Sequence, residues 1–352
     1  MRKKMRKKAI LKKRDPFLTS SYDFELDQSF IATQPASPKD SAKLLVYNRQ
    51  TKTITHSTFR DIQKFLSQDV SILFNNTKVI KARLFGNKES GGKVELLINR
   101  PLPDNLFSVY IRGKVKAGSE IFFEESLKAI VIQTFDNGIR EVKFYQENNE
   151  LDFLALQKII ENIGHLPLPP YMQREDTKDD EKNYQTVFAK DAGAVAAPTA
   201  SLHFTPELFE EVSSRYKHAY ITLHVGAGTF KPVEDDDIRD HPMHSEYYTL
   251  SDEALEIIHN DQPILAVGTT VTRTIEYYVR TKEREGEANL FLHPNNPPQR
   301  VNHLLTNFHL PKSTLIMLVA SFVGLEKTLE LYEEAKKEHY RFYSYGDAML
   351  II

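Results

Sequence analysis

The sequence predicts an α/β protein: a three-layer sandwich around a mainly parallel or mixed sheet, with a small antiparallel β-barrel inserted into it. In the second half of the 352-residue chain, apolar strand-like runs alternate with helical segments, which is typical of a helix-covered sheet. Residues 78–146 instead contain six short β-type runs with no helix between them, which indicates a small barrel. Sheet-like sequence also precedes that segment, at residues 71–76, so we expect the barrel to interrupt the α/β domain.

The chain begins with a basic tail at residues 1–16, which we expect to be disordered. Residues 1–14 hold nine Lys and Arg and no acid, although the net charge of the whole chain is −2. Three interpretations stay open: a solubilising extension, a start codon placed too early, or an arm attracted to a polyanion such as RNA.

We expect the catalytic α/β domain to consist of residues 17–77 and 147–352, and the inserted barrel to consist of residues 78–146. The barrel segment carries twelve Lys and Arg against eight Asp and Glu, a net charge of +4. A surface that faces a polyanion would explain this charge, and so would ordinary solvated strand faces.

Buried strands are expected at residues 219–225 and 263–267. The first predicted helix has Thr205 as its N-cap and Pro206 at its first position. The polar, acidic stretch at residues 173–190 is predicted to be an exposed, mobile loop. The expected helices span residues 206–217, 252–260, 272–282, 313–323 and 326–340.

Composition excludes several classes of protein. The chain is 41% hydrophobic and 27% charged, as is usual for a globular protein. No apolar run reaches the roughly 18–20 residues of a membrane span, and no apolar stretch of a signal peptide follows the basic start. With no cysteine, disulfides, thiolate metal sites and a cysteine nucleophile are excluded, and a cytoplasmic location is expected.

Short motifs rich in Gly, His, Thr and Pro follow the apolar runs. Such residues fill a core poorly, and loops beyond strand ends are where α/β proteins bind ligands, so the pattern favours an enzyme. The motifs are GHLPLPPY (164–171), GAVAAPTASLHFT (193–205), LHVGAGTF (223–230), VGTTVTR (267–273), TNFHLPKSTL (306–315) and YRFYSYGDAML (340–350).

Each motif also has a purely structural interpretation. The glycines of LHVGAGTF allow close approach to a ligand, or a tight turn. VGTTVTR combines a helix start with Arg273, which suits a carboxylate, although its threonines could simply cap the helix. The aromatic run before Asp347 could bind a nucleobase or form a half-buried strand.

Five histidines lie in or near these loops: His203, His224, His241, His244 and His309. Pro242 argues against a helix across His241 and His244, and no HExxH pattern is present. A structural or substrate-contacting histidine is therefore favoured over a metal ligand, and we expect no metal site.

Taken together with FNNTKVIKARLFG (74–86) and GGKVELL (91–97), the motifs resemble those of the S-adenosylmethionine:tRNA ribosyltransferase-isomerase family of queuosine biosynthesis. The resemblance extends over nearly the whole chain from about Tyr22. The sequence departs from the family pattern at Ser201, in the VTR after GTT, at Pro294–Pro298 and in the basic tail.

The resemblance implies the reaction and its partners. The ribosyl part of S-adenosylmethionine, a consumed substrate and not a cofactor, is transferred and isomerised onto 7-aminomethyl-7-deazaguanine at the wobble position of a tRNA with a GUN anticodon. The product is epoxyqueuosine-tRNA, and adenine and methionine are released. We expect a cytoplasmic monomer that needs no membrane. An RNA methyltransferase and a non-catalytic RNA-binding module remain the alternatives.

Candidate site residues follow from the motifs and the resemblance. His203 or His224 is expected to act as base or acid, and Arg273 to hold the methionine carboxylate. Asp347 is the third catalytic candidate and is expected to hydrogen-bond the ribose or nucleobase. The remaining substrate-binding candidates are Thr199, Phe204, Gly226, Gly228, Thr229, Phe230, Thr269, Thr270, Asn307, His309, Tyr343 and Tyr345. The candidates for phosphate contacts with tRNA are Lys78, Arg83, Lys93, Arg112 and Lys114.

Overall fold

The computed structural model describes residues 14–226, 228 and 233–352. Most of the basic tail therefore lies outside the described residues. The strands are β1 (Lys43–Asn48), β2 (Thr53–Thr58), β3 (Ser71–Asn75), β4 (Thr77–Val79), β5 (Arg83–Lys88), β6 (Lys93–Pro101), β7 (Phe107–Arg112), β8 (Glu120–Phe122), β9 (Leu127–Thr134), β10 (Ile139–Gln146), β11 (Asn149–Glu150), β12 (Asp191–Ala194), β13 (His218–Leu223), β14 (Glu246–Leu250), β15 (Ile264–Val267), β16 (Glu285–Ala288), β17 (His303–Asn307) and β18 (Ala348–Ile351). The helices are α1 (Phe153–Ile163), α2 (Lys178–Asn183), α3 (Pro206–Arg215), α4 (Asp252–His259), α5 (Thr269–Thr281), α6 (Thr314–Val323) and α7 (Leu325–Lys337).

Nine strands form one mixed sheet in the order β16-β14-β13-β3-β15-β17-β18-β1-β2. The central strands β13, β3, β15 and β17 run parallel, whereas β18 is antiparallel to β17 and both edges end in antiparallel pairs. Because the carboxyl ends of the parallel strands lie at one edge, the loops that follow them meet there.

Helices cover both faces of this sheet. Leu44 and Val46 of β1 lie in one apolar cluster with α3, whereas Leu45 and Tyr47 lie in another with α6 and α7. Successive residues of a strand point to opposite faces, so the alternating burial in β1 builds two separate cores. Helices α4 and α5 pack with β13 in a third cluster, and the predicted three-layer arrangement is confirmed.

The second sheet is an antiparallel barrel. Its order is β11-β10-β7-β6-β5-β8-β9, and pairing between β9 and β10 closes six of the strands into a ring. Alternate residues such as Val94, Leu96 and Ile98 of β6 face the apolar interior. Closure leaves no edge along the ring, and the six β-type runs predicted here correspond to β5 through β10.

Helix α1 also packs on the barrel core, through Leu156, Ile159 and Ile160. This helix is not among the predicted ones, although Asp152 accepts a hydrogen bond from the backbone N–H of Ala155 as an N-cap. The packing of α1 joins the barrel to residues beyond 146, while the domain boundaries at 78 and 146 stay predictions.

The predicted helices agree with α3, α4, α6 and α7 to within three residues at each end. Helix α5 meets the same tolerance, but it begins three residues before the predicted start, at Thr269 and not at residue 272. Gly268 has a φ of 103° just before it, a conformation that favours glycine. The helix therefore starts directly after β15, and Thr269 and Thr270 lie in its first turn.

The predicted exposed loop at residues 173–190 is wrong. It contains α2, and Asp180 within it is buried at 1% exposure. Arg174 donates two hydrogen bonds of 2.6 and 2.8 Å to this carboxylate, and the Tyr345 hydroxyl donates a third of 3.0 Å. A polar sequence thus folds inward because its one buried charge is paired and hydrogen-bonded.

Among the described residues, no helix combines the length and apolar character that a membrane crossing requires.

Candidate active site

Three adjoining cavities lie at the carboxyl ends of the parallel strands. The sheet-end cavity, of about 60 Å³, is bounded by the loops after β15 and β17 and by the loop at residues 196–200. The barrel-side cavity, of about 500 Å³, lies between that edge and strands β6 and β7 of the barrel. A small connecting cavity of about 30 Å³ lies between them.

Shared side chains make the three cavities one continuous site. Thr269, Thr270 and Leu315 line both the sheet-end and the connecting cavity. Gly228 and Glu246 line both the connecting and the barrel-side cavity. Several loop motifs of the sequence therefore converge on one location.

His224 lines the barrel-side cavity. Burial lowers the pKa of its imidazole, and Asp191 opposes that shift. Its Nδ1 lies 2.8 Å from Thr77 Oγ1, and Thr77 Oγ1 donates to the Asp191 carbonyl at 3.4 Å. If the hydroxyl proton goes to the carbonyl, Nδ1–H is the donor to Thr77 and Nε2 is left as an acceptor.

Gly193 leaves room for the His224 ring. A Cβ at residue 193 would lie 2.8 to 2.9 Å from three atoms of the His224 imidazole. The glycine of the GAVAAPTASLHFT motif is therefore needed for close approach of the ring to the backbone.

Arg273 and Glu246 form a buried ion pair beside the connecting cavity. Their side chains are 9% and 5% exposed, and Glu246 Oε1 also accepts a hydrogen bond of 3.2 Å from the Gly226 N–H. Arg273 was predicted to meet a substrate carboxylate. In the structure its charge already has a partner on β14, so the site presents a cation and an anion side by side.

Asn307 lines the sheet-end cavity and is 1% exposed. Its Nδ2 donates to the Tyr343 carbonyl at 3.1 Å and lies 3.3 Å from His203 Nε2. The carbonyl requires a donor, which fixes the orientation of the amide. Its Oδ1 is buried with no hydrogen-bond partner among the described residues, as expected of an acceptor awaiting a ligand.

His203 lies behind Asn307 and packs on Phe59, with ring centroids 4.8 Å apart. Burial, together with the charges of Arg341 and Lys39, lowers the pKa of His203 to about 3. It is neutral at pH 7 and accepts from Asn307, so the geometry gives it a positioning role and favours His224 for proton transfer.

His309 and Tyr343 also line the sheet-end cavity. Burial lowers the pKa of His309 to about 3, and its Nε2 lies 2.8 Å from Thr306 Oγ1. Tyr343 has a φ of 78°, which is unusual for a bulky residue and is found most often at functional sites. The aromatic side chain is thus held at the cavity at a conformational cost.

Three predicted site residues occupy structural positions instead. Asp347 accepts hydrogen bonds from the N–H groups of Lys43 and Arg341, at 3.1 and 2.7 Å. Phe204 packs edge-on against Phe59 and Phe74 in the core, and Tyr345 is held by Asp180. None of the three is among the described residues lining the cavities, and no contact supports their predicted roles.

The remaining substrate-binding candidates divide by position. Thr199, Thr269 and Thr270 line the sheet-end cavity, and Gly226 and Gly228 line the barrel-side cavity. Thr229 and Phe230 lie outside the described residues.

The five cations predicted to contact tRNA form two groups. Lys93, Arg112 and Lys114 are exposed near one end of the barrel. Lys78 lies 3.9 Å from Glu161, and Arg83 donates to Glu95 at 2.7 Å. Arg112 also lies 3.9 Å from Glu95.

Sequence reasoning missed Glu246, Thr77, Gly193 and Tyr110, all of which lie in or beside the barrel-side cavity. Glu246 follows His244 and Ser245 at the start of a strand, but its partner Arg273 is 27 residues away. An unusually placed arginine in a helix start was the one signal that a buried acid should exist.

Within the described residues, no group of three or more His, Cys, Asp or Glu side chains is arranged to hold a metal ion. His241 instead lies 3.2 Å from Asp235.

A mixed α/β sheet with a polar site at its carboxyl edge is the arrangement in which α/β enzymes bind small molecules. The sequence profile described as "Queuosine biosynthesis protein" matches residues 19–351. This chain belongs to that family.

Similar proteins carry one name. S-adenosylmethionine:tRNA ribosyltransferase-isomerase of Aliarcobacter butzleri (strain RM4018) is 62% identical over 338 residues, covering 96% of this chain and 99% of the relative. The protein of that name from Sulfurimonas denitrificans is also 62% identical, over 95% and 98% of the two chains. The crystal structure of S-adenosylmethionine tRNA ribosyltransferase from Thermotoga maritima is 32% identical with a TM-score of 0.52, covering 95% of this chain and 100% of that one.

Proposed function

We propose that this enzyme transfers and isomerises the ribosyl part of S-adenosylmethionine onto 7-aminomethyl-7-deazaguanine in tRNA, forming epoxyqueuosine and releasing adenine and methionine. The observation that carries the proposal is the 62% identity, over 96% of this chain, to a protein named for this reaction. The cavities supply the places where its chemistry would occur.

The amino-acid end of S-adenosylmethionine would bind at Arg273 and Glu246. A methionine moiety has a carboxylate and an ammonium group on the same carbon, and a buried cation beside a buried anion matches both. Ion pairs with the ligand replace part of the ion pair within the protein, so neither charge is left uncompensated. The pair therefore distinguishes a zwitterion from a simple carboxylate.

The adenosine end would bind at the sheet-end cavity, whose volume of about 60 Å³ has room for only part of it. Asn307 Oδ1 is the buried acceptor there, and a ribose hydroxyl or the adenine amino group can donate to it. Tyr343 lines the same cavity and offers an aromatic face to the base. His203 and Tyr343 orient the amide before the ligand arrives, which lowers the ordering cost of binding.

His224 would remove the proton. The sulfonium makes the hydrogens on the neighbouring ribose carbon acidic, and a base is needed beside that carbon. Burial lowers the pKa of His224, which favours the neutral imidazole, and the contact with Thr77 would support the tautomer with Nε2 unprotonated. The electron pair left on that carbon would drive the loss of adenine, which takes up a proton as its bond to the ribose breaks. The amine on the tRNA base would form the new C–N bond and lose a proton, and methionine would leave as a neutral thioether when the epoxide C–O bond replaces its C–S bond.

The tRNA would approach through the barrel-side cavity, which the barrel strands and the sheet edge share. Arg100 of β6 pairs with Glu287 of β16, so the two walls are fixed to one another. We infer that the substrate tRNA has a GUN anticodon, that the enzyme acts as a monomer and that it works in the cytoplasm, where tRNA precursors are modified.

Product analysis tests the reaction. Incubation with S-adenosylmethionine and precursor-bearing tRNA should release adenine and methionine and yield epoxyqueuosine in the RNA, as measured by chromatography with mass detection. S-adenosylhomocysteine in place of adenine would instead identify a methyltransferase and overturn the proposal.

His224→Gln tests the assignment of the base. General-base loss typically lowers turnover about 10²- to 10⁴-fold, so we expect such a decrease with S-adenosylmethionine affinity and melting temperature near wild type. His218→Gln, on β13 at the opposite end from the cavities, is the matched control and should turn over normally. Wild-type turnover by His224→Gln would exclude His224 as the base.

A further inference from the structure

Phe85 is an exposed aromatic residue on the outside of the barrel. It is 44% exposed, in a strand whose neighbours Leu84 and Gly86 are buried. The Arg83 guanidinium lies 4.9 Å from the centroid of its ring, and the His165 ring meets it edge-on at 5.2 Å. The ring is thus supported on one side by a cation and an imidazole and exposed on the rest.

Phe85 borders a groove of about 630 Å³ whose lining includes Asn87, Lys93, Glu95 and Arg112. The Arg112 side chain is 89% exposed. Within the groove the only described acid is Glu95, and it is already 2.7 Å from Arg83 and 3.9 Å from Arg112. An aromatic ring among exposed cations is complementary to a base and its phosphates.

The groove lies on the same outer strand face of the barrel as part of the candidate active site. In the strand register, Phe85 of β5 lies opposite Glu95 of β6, which lies opposite Arg112 of β7. Two residues along the strands, Arg83 lies opposite Leu97, which lies opposite Tyr110. Alternate residues of these strands share the outer face, and Tyr110 lines the barrel-side cavity. One strand face therefore leads from the cavity to Phe85.

The separation fits a short piece of RNA. Two strand spacings of about 4.8 Å and two residue steps of about 3.3 Å put Phe85 roughly 12 Å from Tyr110. Stacked nucleotides rise about 3.4 Å each, so about four of them span this distance. A base near the modified nucleotide could reach the ring while the modified base occupies the cavity.

We propose that the exposed face of Phe85 stacks on an unpaired base of the RNA substrate, a few nucleotides from the reacting one, with Lys93 and Arg112 contacting the adjoining phosphates. The ligand class is a single-stranded RNA loop, whose splayed bases can reach an aromatic side chain. This inference rests on the proposed function, because it takes the RNA substrate as given.

Phe85→Ala and Phe85→Leu test the stacking role with a tRNA transcript bearing a GUN anticodon as the probe. Loss of base–aromatic stacking should weaken tRNA binding about 5- to 100-fold in both variants, since leucine keeps the apolar volume without the π face. The slope of log Kd against log salt concentration should not change, because phosphate contacts set it. S-adenosylmethionine affinity should stay within twofold of wild type.

Ile132→Ala is the matched control. Ile132 is 45% exposed on β9, which lies across the ring of strands from β6, and tRNA affinity should stay at the wild-type level. A spectroscopic test is also available because the chain has no tryptophan. Phe85→Trp introduces a single tryptophan whose fluorescence should be quenched by tRNA, whereas Ile132→Trp should not respond.

Three results would overturn the inference: tRNA affinity of Phe85→Ala within twofold of wild type, no response of the tryptophan at position 85 to saturating tRNA, or a change in oligomeric state on substitution, which would make Phe85 a contact between copies. Failure of the proposed function is a separate result. It would appear as a wild-type enzyme that binds tRNA through Phe85 and releases no adenine.

Discussion

Opposite charges held next to each other characterise this site at the level of single residues. Arg273 and Glu246 are both nearly inaccessible to solvent, where an unpaired charge would be severely unfavourable. A buried ion pair contributes little net stability compared with apolar residues of the same size. Its position beside the connecting cavity is the one that the proposed binding of the amino-acid group of S-adenosylmethionine requires.

If Arg273 and Glu246 bind the amino-acid group of S-adenosylmethionine, removing their charges should lower the affinity for ligands that carry this group. Arg273→Gln combined with Glu246→Gln removes both charges without stranding either. We expect it to weaken S-adenosylmethionine binding about 30-fold or more, since truncating buried charge contacts costs about 2–5 kcal/mol. Affinity for 5′-methylthioadenosine, which lacks the amino-acid group, should stay within twofold. Calorimetric titration measures the affinity for both ligands. An equal loss of affinity for the two would contradict the binding of the amino-acid group by Arg273 and Glu246.

At the scale of elements, helix α2 connects a surface segment to the wall of the sheet-end cavity. Burial raises the pKa of the Asp180 carboxyl, but hydrogen bonds from Arg174, Thr177 and Tyr345 outweigh this and lower it to about 2. Tyr184, at the end of α2, is fully buried and lines the sheet-end cavity. The carboxylate therefore fixes a segment that shapes the site.

Asp180→Asn should lower the free energy of unfolding by about 1–3 kcal/mol, because it weakens a charged hydrogen-bond network. The KM for S-adenosylmethionine should rise as Tyr184 loses its support. Urea unfolding and steady-state kinetics measure the two effects. Asp179→Asn, on the exposed neighbouring residue of the same helix turn, is the control. If both variants behave alike, the network has no special role.

Local sequence signals predicted the elements that depend on local contacts. Helix α3 begins at the Thr205 cap that accepts from Leu208 N–H, and the barrel strands follow the alternation of apolar residues. Burial of Asp180 could not be predicted this way, because it depends on Tyr345, 165 residues along the chain. Helix α1 was a missed local signal, since its cap and apolar spacing were both present.

The location of the candidate site was predictable from the sequence, but the contacts between its side chains were not. Most of the glycine, threonine and histidine motifs meet at the sheet edge, as strand-end placement requires. Which histidine faces a cavity and which lies behind Asn307 depends on packing across the sheet. The same holds for Glu246, whose partner was the arginine that the helix start could not explain.

Across the whole molecule, buried neutral histidines couple the fold to pH. Burial, with Arg341 and Lys39 nearby, lowers the pKa of His203 to about 3, and burial alone lowers that of His309 to about 3. Burial and Arg49, opposed by Asp69, lower that of His303 to about 4. All three ionise near 6.5 once unfolded, so between pH 6.5 and about 4 the unfolded chain binds protons that the folded chain does not.

Stability should therefore be complete above pH 6.5 and fall as the pH decreases below it. Each such histidine contributes about 1.4 kcal/mol per pH unit, which gives about 4 kcal/mol per unit near pH 5. Asp180 does not contribute in this window, because the stability it provides is lost only as the pH falls below about 3.8, the pKa of its carboxyl in the unfolded chain. Acid sensitivity near pH 5 is thus assigned to imidazoles and not to carboxylates.

His303→Gln provides the test, because His303 lies at the start of β17 and away from the residues that line the cavities. Urea unfolding at pH 7.0, 6.0, 5.5 and 5.0 gives the free energy of unfolding as a function of pH. The slope of the variant should be lower than that of wild type by about one proton, or about 1.4 kcal/mol per pH unit, because one depressed histidine pKa is removed. An unchanged slope would mean that His303 is protonated in the folded chain, and a flat wild-type profile would exclude the coupling for all three histidines.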